Sequence, residues 1–155
     1  MIARLCKPED KATWVALNRD FMEEELGDNE FWASTVEIST KKLEEAFDKA
    51  MEKPGDVFLM LFEHEDKVLG FSNLVRFFSV WANGDALIVD DFFICDEYRH
   101  MGIGKDGVKI VENFAEKHKF NRIQFHSNHE DERTYEFFNA IGFNPTDMKF
   151  YVRHF

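Results

Sequence analysis

Val89-Asp90-Asp91-Phe92-Phe93-Ile94-Cys95-Asp96-Glu97-Tyr98-Arg99-His100-Met101-Gly102-Ile103-Gly104 takes an apolar strand into a polar turn, and then into two glycines that open a helix. Gly102 and Gly104 lack a Cβ, so backbone N–H groups there can close on an anion, helped by the positive end of the helix dipole. Arg99 adds a permanent charge and a fork of donors suited to phosphate. The ligand these features fit is a pyrophosphate, although two glycines alone are equally compatible with a plain change of chain direction. Gly102-Ile103-Gly104-Lys105-Asp106-Gly107 also satisfies G-x-G-x-x-G, and Glu130 and Asp131 fall near that motif's acidic position. The dinucleotide fingerprint begins at the end of its strand, however. Here Cys95 to Met101 intervene, and too little chain follows Gly107 to complete a doubly wound sheet.

Upstream of this run, Ile2 to Cys6 reads as a strand. Lys11 to Leu26 reads as a helix capped by Asp10, with Trp14, Leu17 and Phe21 at helical spacing. A second helix opens at Ser39-Thr40, presents Leu43, Ala46, Phe47, Ala50 and Met51 on one face, and ends at Pro54-Gly55. Val57 to Phe62 is a continuous apolar run, as expected of a strand buried on both faces. Val68 to Val80 pairs with it through the turn His64-Glu65-Asp66-Lys67, and Ala86 to Cys95 follows. Downstream come a helix over Gly104 to Lys119, a short strand over Ile123 to His126, a helix over Arg133 to Ala140, and a closing strand over Met148 to Phe155. This order is α/β or α+β, built on one mixed sheet.

The chain has 155 residues, 45% hydrophobic and 32% charged, which predicts a single globular domain spanning 1–155 without repeats or linkers. Its 18 Phe point to an aromatic core. A net charge of −11 argues against nucleic acid, which rewards basic stripes. An acidic surface suits either plain solubility or a cationic partner. Lys7-Pro8-Glu9-Asp10 follows the first residues directly, leaving no apolar signal region, and Val57 to Phe62 is too short to cross a bilayer. With only Cys6 and Cys95, a reducing, cytoplasmic location without membrane attachment is expected.

Arg99-His100-Met101-Gly102-Ile103-Gly104 resembles the (Arg/Gln)-x-x-Gly-x-(Gly/Ala) signature of the GNAT acyltransferase superfamily, and Phe137-Phe138-Asn139-Ala140-Ile141-Gly142-Phe143 resembles its later helix-turn. The resemblance implies a mixed, mostly antiparallel sheet of about six to seven strands flanked by about four helices. It implies that Ala86 to Cys95 splays from Ile123 to His126, leaving a slot for the pantetheine arm of acetyl-CoA. Groups near Ile94 would bind that arm and the acetyl oxygen, and donors pre-aimed at an oxyanion stabilise the transition state. The amides of His100, Met101, Gly102, Ile103, Gly104 and Lys105 would take the pyrophosphate, with Arg99 beside them. Asn128 and Phe138 are further candidate contacts to the cofactor.

An amine acceptor must lose a proton before or during attack. Asp90 and Asp91 interrupt an apolar strand, which is costly without a partner or a task. Alternation sends them to opposite faces, so at most one of them enters the acceptor cleft. The segment resembles the Glu-Asp-Phe-Phe run of polyamine acetyltransferases, and by that resemblance Asp90 receives the proton and Asp91 faces the substrate. The family's usual Tyr, which protonates the departing thiolate, is replaced here by Phe138. Tyr135, one turn earlier, is the alternative, and water is another. His126-Ser127-Asn128-His129-Glu130-Asp131 has a metal-like composition but no closed ligand set, so no metal is expected. Cys95 reads as a buried strand cysteine.

The acidic link from Glu23 to Trp32 offers Glu24, Glu25 and Trp32 to a cationic amine, or is simply a solvated helix end. The resulting expectation is an acetyl-CoA-dependent N-acetyltransferase for a small cationic amine, polyamine- or aminoglycoside-like, possible as a homodimer. The alternatives are a CoA-binding module with little turnover, and acylation of a protein N-terminus or lysine.

Overall fold

Residues 1–27, 38–126, 132–146, 151 and 153 are described by the computed structural model, and the chain divides into two units, Met1–Phe125 and His126–Phe155. In the first unit β1 (Ile2–Leu5) leads through a 3-10 turn (Pro8–Asp10) into α1 (Lys11–Gly27) and then α2 (Thr40–Met51). The strands β2 (Val57–His64), β3 (Lys67–Ser79) and β4 (Gly84–Ile94) follow. A second 3-10 turn (Asp96–Tyr98), α3 (Ile103–Lys117) and β5 (Arg122–Phe125) complete the unit. The second unit contributes α4 (Glu132–Ala140).

The five strands lie in the order β1-β2-β3-β4-β5. The first three pairings are antiparallel and β4–β5 is parallel. The mixed α/β class is the expected one. The described residues hold five strands where about six to seven were anticipated, and the closing strand read over 148–155 lies outside the described residues.

β2 runs through the middle of the core because it is apolar on both faces. Phe58, Met60 and Phe62 join Leu74, Leu87, Val89, Val111 and Ala115 beneath α3. Leu59 and Leu61 join Trp14, Val15, Leu43, Phe47, Phe71 and Phe93 beneath α1 and α2. The β2–β3 turn holds Glu65 and Asp66 at φ 50 and 65, the left-handed pair that matches strand twist in a two-residue hairpin. α2 is capped by Ser39, whose side chain accepts from the Lys42 N–H. The cap expected of Asp10 takes another form. Its carboxylate accepts from the Lys7 N–H and from both terminal nitrogens of Arg4, which also reaches Glu63. Not every Phe joins the aromatic core: Phe77 is partly buried and Phe78 is 70% exposed.

Two irregularities in β4 shape the site. Asn73 pairs with Asp91 but Leu74 pairs with Val89, leaving Asp90 as an extra residue in a β-bulge. Before the bulge, Leu87 and Val89 face α3; after it, Phe92 and Ile94 do, while Phe93 faces α1 and α2. The extra residue reverses the alternation and re-aims Asp91 to the α1 side. The second irregularity is the end of the parallel pairing at Val89–Phe125. β4 continues through 90–94 with β3 on one side and no strand partner on the other among the described residues.

Candidate active site

The bulge gives the two aspartates of β4 different surroundings. Asp90 is exposed. Asp91 is partly buried, and its Oδ2 accepts a hydrogen bond from Asn73 Nδ2 at 2.7 Å. Burial pushes the Asp91 carboxyl up to about 6, reinforced by the negative charges of Asp90 and Glu25 and opposed by the Asn73 hydrogen bond. A carboxyl at that value is ionised at neutral pH and is a far better base than an ordinary aspartate.

Behind Asp91 lies a set of buried polar groups that sequence reading overlooked. Trp14 Nε1 donates to Asn73 Oδ1 at 2.9 Å, and Asn73 Nδ2 donates to Asn18 Oδ1 at 2.8 Å. Asn18 Nδ2 in turn donates to the Trp14 carbonyl at 2.8 Å. Trp14 and Asn18 are each 4% exposed and Asn73 8%. The available signals were Ser72-Asn73 interrupting the apolar residues of a strand, and Asn18 one helical turn after Trp14.

At the far end of β4 the turn leads into α3. His100 and Gly102 take positive φ, 60 and 83, and Gly102 is the N-cap of α3 with no side chain to serve the first turn. Nothing lies within 4 Å of where a Gly102 Cβ would be, so this glycine is required by its left-handed backbone and leaves the helix end open. Asp106 N–H returns to the Gly102 carbonyl at 3.1 Å. The N–H groups of Ile103, Gly104 and Lys105 precede any intrahelical acceptor, as at every helix start. With the dipole's positive end they form a cradle that fits a pyrophosphate. His100 and Lys105 are exposed and Met101 is 70% exposed, while Ile103 packs on the core beneath α3.

Arg99 is committed elsewhere. Its Nε donates to the Ile94 carbonyl at 2.8 Å, and its Nη1 and Nη2 form a two-pronged pair with Glu24, each at 2.8 Å. Nη1 also meets Asp96 at 2.8 Å. The guanidinium holds the Glu24 carboxyl below its usual range. Two residues expected to bind different ligands, Arg99 the pyrophosphate and Glu24 the amine, are thus joined to each other. Arg99 thereby ties the last turns of α1 to the exit of β4, and also engages the Ile94 carbonyl at the open edge.

Glu25 is exposed and acts electrostatically on Asp91. Trp32 and Asn128 lie outside the described residues. In the second unit, Tyr135 is 53% exposed. Phe138 is partly buried, with its ring against Phe137 and Phe143 at 5.2 and 5.5 Å. Burial raises the Cys95 thiol, and raises that of Cys6 to about 12, the opposite of what a nucleophilic cysteine needs. Among the described residues no three His, Cys, Asp or Glu converge as metal ligands, and no helix is long and apolar enough to cross a membrane.

A strand freed along one edge, a carboxyl on that strand and an anion cradle at its end together suit the transfer of an acyl group from a phosphorylated carrier. The chain belongs to the acetyltransferase (GNAT) family, whose profile matches residues 16–143. It is accordingly a GNAT-type N-acetyltransferase, and acetyl-CoA is the acyl donor the family implies. A search among curated proteins by sequence finds no match. Among solved structures, the chain is similar to one described as a possible acetyltransferase from Clostridium difficile 630. The two share 17% identity with a TM-score of 0.83, covering 99% of this chain and 97% of that one. A GNAT family acetyltransferase from Staphylococcus aureus matches at 21% identity and a TM-score of 0.71, covering 99% and 98%. An aminoglycoside 6′-N-acetyltransferase from Acinetobacter haemolyticus matches at 10% identity and a TM-score of 0.74, also covering 99% and 98%. At these identities the likeness is one of fold.

Proposed function

We propose that the protein moves the acetyl group of acetyl-CoA onto a primary amine of a small, cationic acceptor by direct attack, with Asp91 as general base. The observation that carries this reading is the Asp91 carboxyl itself: partly buried, raised to about 6, and flanked by the further negative charges of Asp90 and Glu25. Three carboxylates acting on one point attract an ammonium group, and the one with the raised value is equipped to take its proton. The resemblance of the segment to polyamine acetyltransferases assigned the proton to Asp90. The bulge and the burial favour Asp91 for that role and leave Asp90 and Glu25 as charges that hold the cation.

An alkylammonium titrates near 10.4, roughly four units above this base, so proton removal before attack is uphill. Attack therefore comes from the small fraction of the amine that has given up one proton and carries a lone pair; once that nitrogen bonds to the carbonyl carbon it becomes far more acidic, and Asp91 takes its second proton readily. The thiolate of CoA, with an ordinary thiol near 8.5, departs without a strong acid. Water completes that step, since Phe138 has no proton to give. The Ile103–Lys105 amides would hold the pyrophosphate, and the free edge of β4 at 90–94 would line the pantetheine arm. A small aminoglycoside or polyamine suits this reading better than a protein terminus, because the charge is concentrated at one carboxyl cluster.

The test is acetyl-CoA turnover with spermidine, kanamycin and a neutral amine as acceptors, for the wild type and for Asp91→Asn and Asp90→Asn. Cationic acceptors should be preferred. Asp91→Asn should lose about 10²–10⁴ in kcat, and Asp90→Asn should mainly raise KM. Full kcat in Asp91→Asn would overturn the assignment of the base. Equal use of the neutral amine would overturn the acceptor class.

A further inference from the structure

We propose that Asn73 is a positioning residue for the transfer reaction: it fixes the orientation and the basicity of the Asp91 carboxylate, and Trp14 and Asn18 of α1 lock it in place. The inference rests on Asp91 being the base, and it assigns roles to three residues that touch neither substrate.

The bonding pattern leaves no freedom in the Asn73 amide. An indole N–H can only donate, so the Asn73 atom facing Trp14 Nε1 at 2.9 Å must be the oxygen. The NH2 group is then directed at Asn18 Oδ1, 2.8 Å, and at Asp91 Oδ2, 2.7 Å, one hydrogen for each. The orientation of Asn18 is fixed likewise, because its own NH2 donates to the Trp14 carbonyl. Flipping either amide would set donor against donor in a region shut off from water, where an unpaired polar group costs about 1–3 kcal/mol. The chain of bonds thus has one arrangement, and it ends on one oxygen of one carboxylate. Among the described residues no protein donor reaches the other oxygen, Oδ1, which stays available to an acceptor.

Stability does not explain this chain. Asn73 stands opposite Leu59 of β2 and both asparagines bond to Trp14, members of the core beneath α1 and α2, where apolar side chains would pack without needing partners. What the asparagines supply is a rigid donor. The charges acting on Asp91 are Asp90 on its own strand and Glu25 on α1, both negative; from β3 the neutral Asn73 donates to its carboxylate and Ser72 Oγ to its backbone carbonyl. Asn73 is therefore the group that favours the charged carboxylate against burial and two like charges. Without it the proton would stay on Asp91 at a pH where the base must be free.

The decisive experiment is a pH titration of the full chain carrying 13C-carboxyl-labelled aspartate, with the Asp91 resonance identified by its loss in Asp91→Asn. Trp14→Phe keeps an aromatic ring beside Phe47 and removes the N–H that orients Asn73, with some loss of packing, and Asn73→Leu removes the donor outright. In Asn73→Leu the Asp91 titration should move upward by about one pH unit, the roughly tenfold factor of a lost hydrogen bond to a charged group. Trp14→Phe should move it in the same direction by less, and it carries the test if Asn73→Leu fails to fold. The acid limb of kcat/KM for acetyl-CoA with spermidine should follow the same shift. An Asp91 titration unmoved in the variants would overturn the inference while leaving Asp91 as base. A shifted titration with full kcat in Asp91→Asn would instead overturn the reading of Asp91 as base, and with it the catalytic meaning of Asn73.

Discussion

A carboxyl that is partly buried and must still be charged at neutral pH opposes the stability of the fold around it. Asp91 is such a group: its folded value of about 6 lies above the roughly 3.9 of an unfolded chain. Between those two values the folded protein binds the extra proton, so the contribution of Asp91 to stability falls as pH rises from about 4 to about 6. Asp10 behaves oppositely, since Arg4 holds its carboxyl low, and the stability it lends is lost as pH falls through the acid range. Comparing Asp91→Asn with the wild type cancels the Asp10 effect. The variant should match the wild type near pH 4 and exceed it by roughly 1–3 kcal/mol above pH 7, a rise in Tm of several degrees. A difference in Tm that does not vary with pH would show that Asp91 does not titrate in this range. The same substitution is expected to abolish most turnover, so the residue most costly to the fold is the one the chemistry uses.

At the scale of elements, β3 and β4 decide where that residue points. Gly70 on β3 lies so close to β4 that a Cβ would overlap the Phe93 carbonyl oxygen and stand 3.0 Å from Ile94 Cα. The obstacle is backbone, so no rotamer change relieves it. Gly70→Ala should cost about 1–3 kcal/mol, read by thermal melting, and should also raise KM for acetyl-CoA because 93–94 belong to the open edge. An unaltered melting temperature would mean that the two strands separate freely there. Much of the element pattern was legible in the sequence. The run from Val57 to Phe62 announced a doubly buried strand, the His64–Lys67 turn announced a hairpin, and the glycines after Arg99 announced the start of α3. The bulge was not legible, because it is set by the register against β3, a non-local pairing that local alternation cannot reveal. For the same reason the bonds of Asn73 and Asn18, and the pairing of Arg99 with Glu24, could not be read from the sequence. Their partners lie 18, 55 and 75 residues away along the chain.

Across the whole molecule, 30 acidic against 19 basic residues set a negative field around a site already rich in carboxylates. Such a field concentrates cations and slows the approach of anions, and salt removes both effects, the screening length being about 10 Å at 0.1 M. KM for a cationic amine should therefore rise several-fold between about 20 mM and about 0.5 M salt, whereas KM for the anionic acetyl-CoA should not rise in parallel. Parallel behaviour of the two would place recognition of the amine in short contacts alone. The bulge in β4 carries a different lesson, about heredity. Replacing Asp90 changes one side chain at the surface, and losing its codon would close the bulge without moving its neighbours, because Val89 on the α3 side and Asp91 on the α1 side already alternate as adjacent residues of a regular strand do. Losing the codon of Phe92 instead would turn Phe93 toward α3 and Ile94 toward α1. Descendants of this gene can shed the letter at the bulge, but the letters that follow it along the strand are fixed in number.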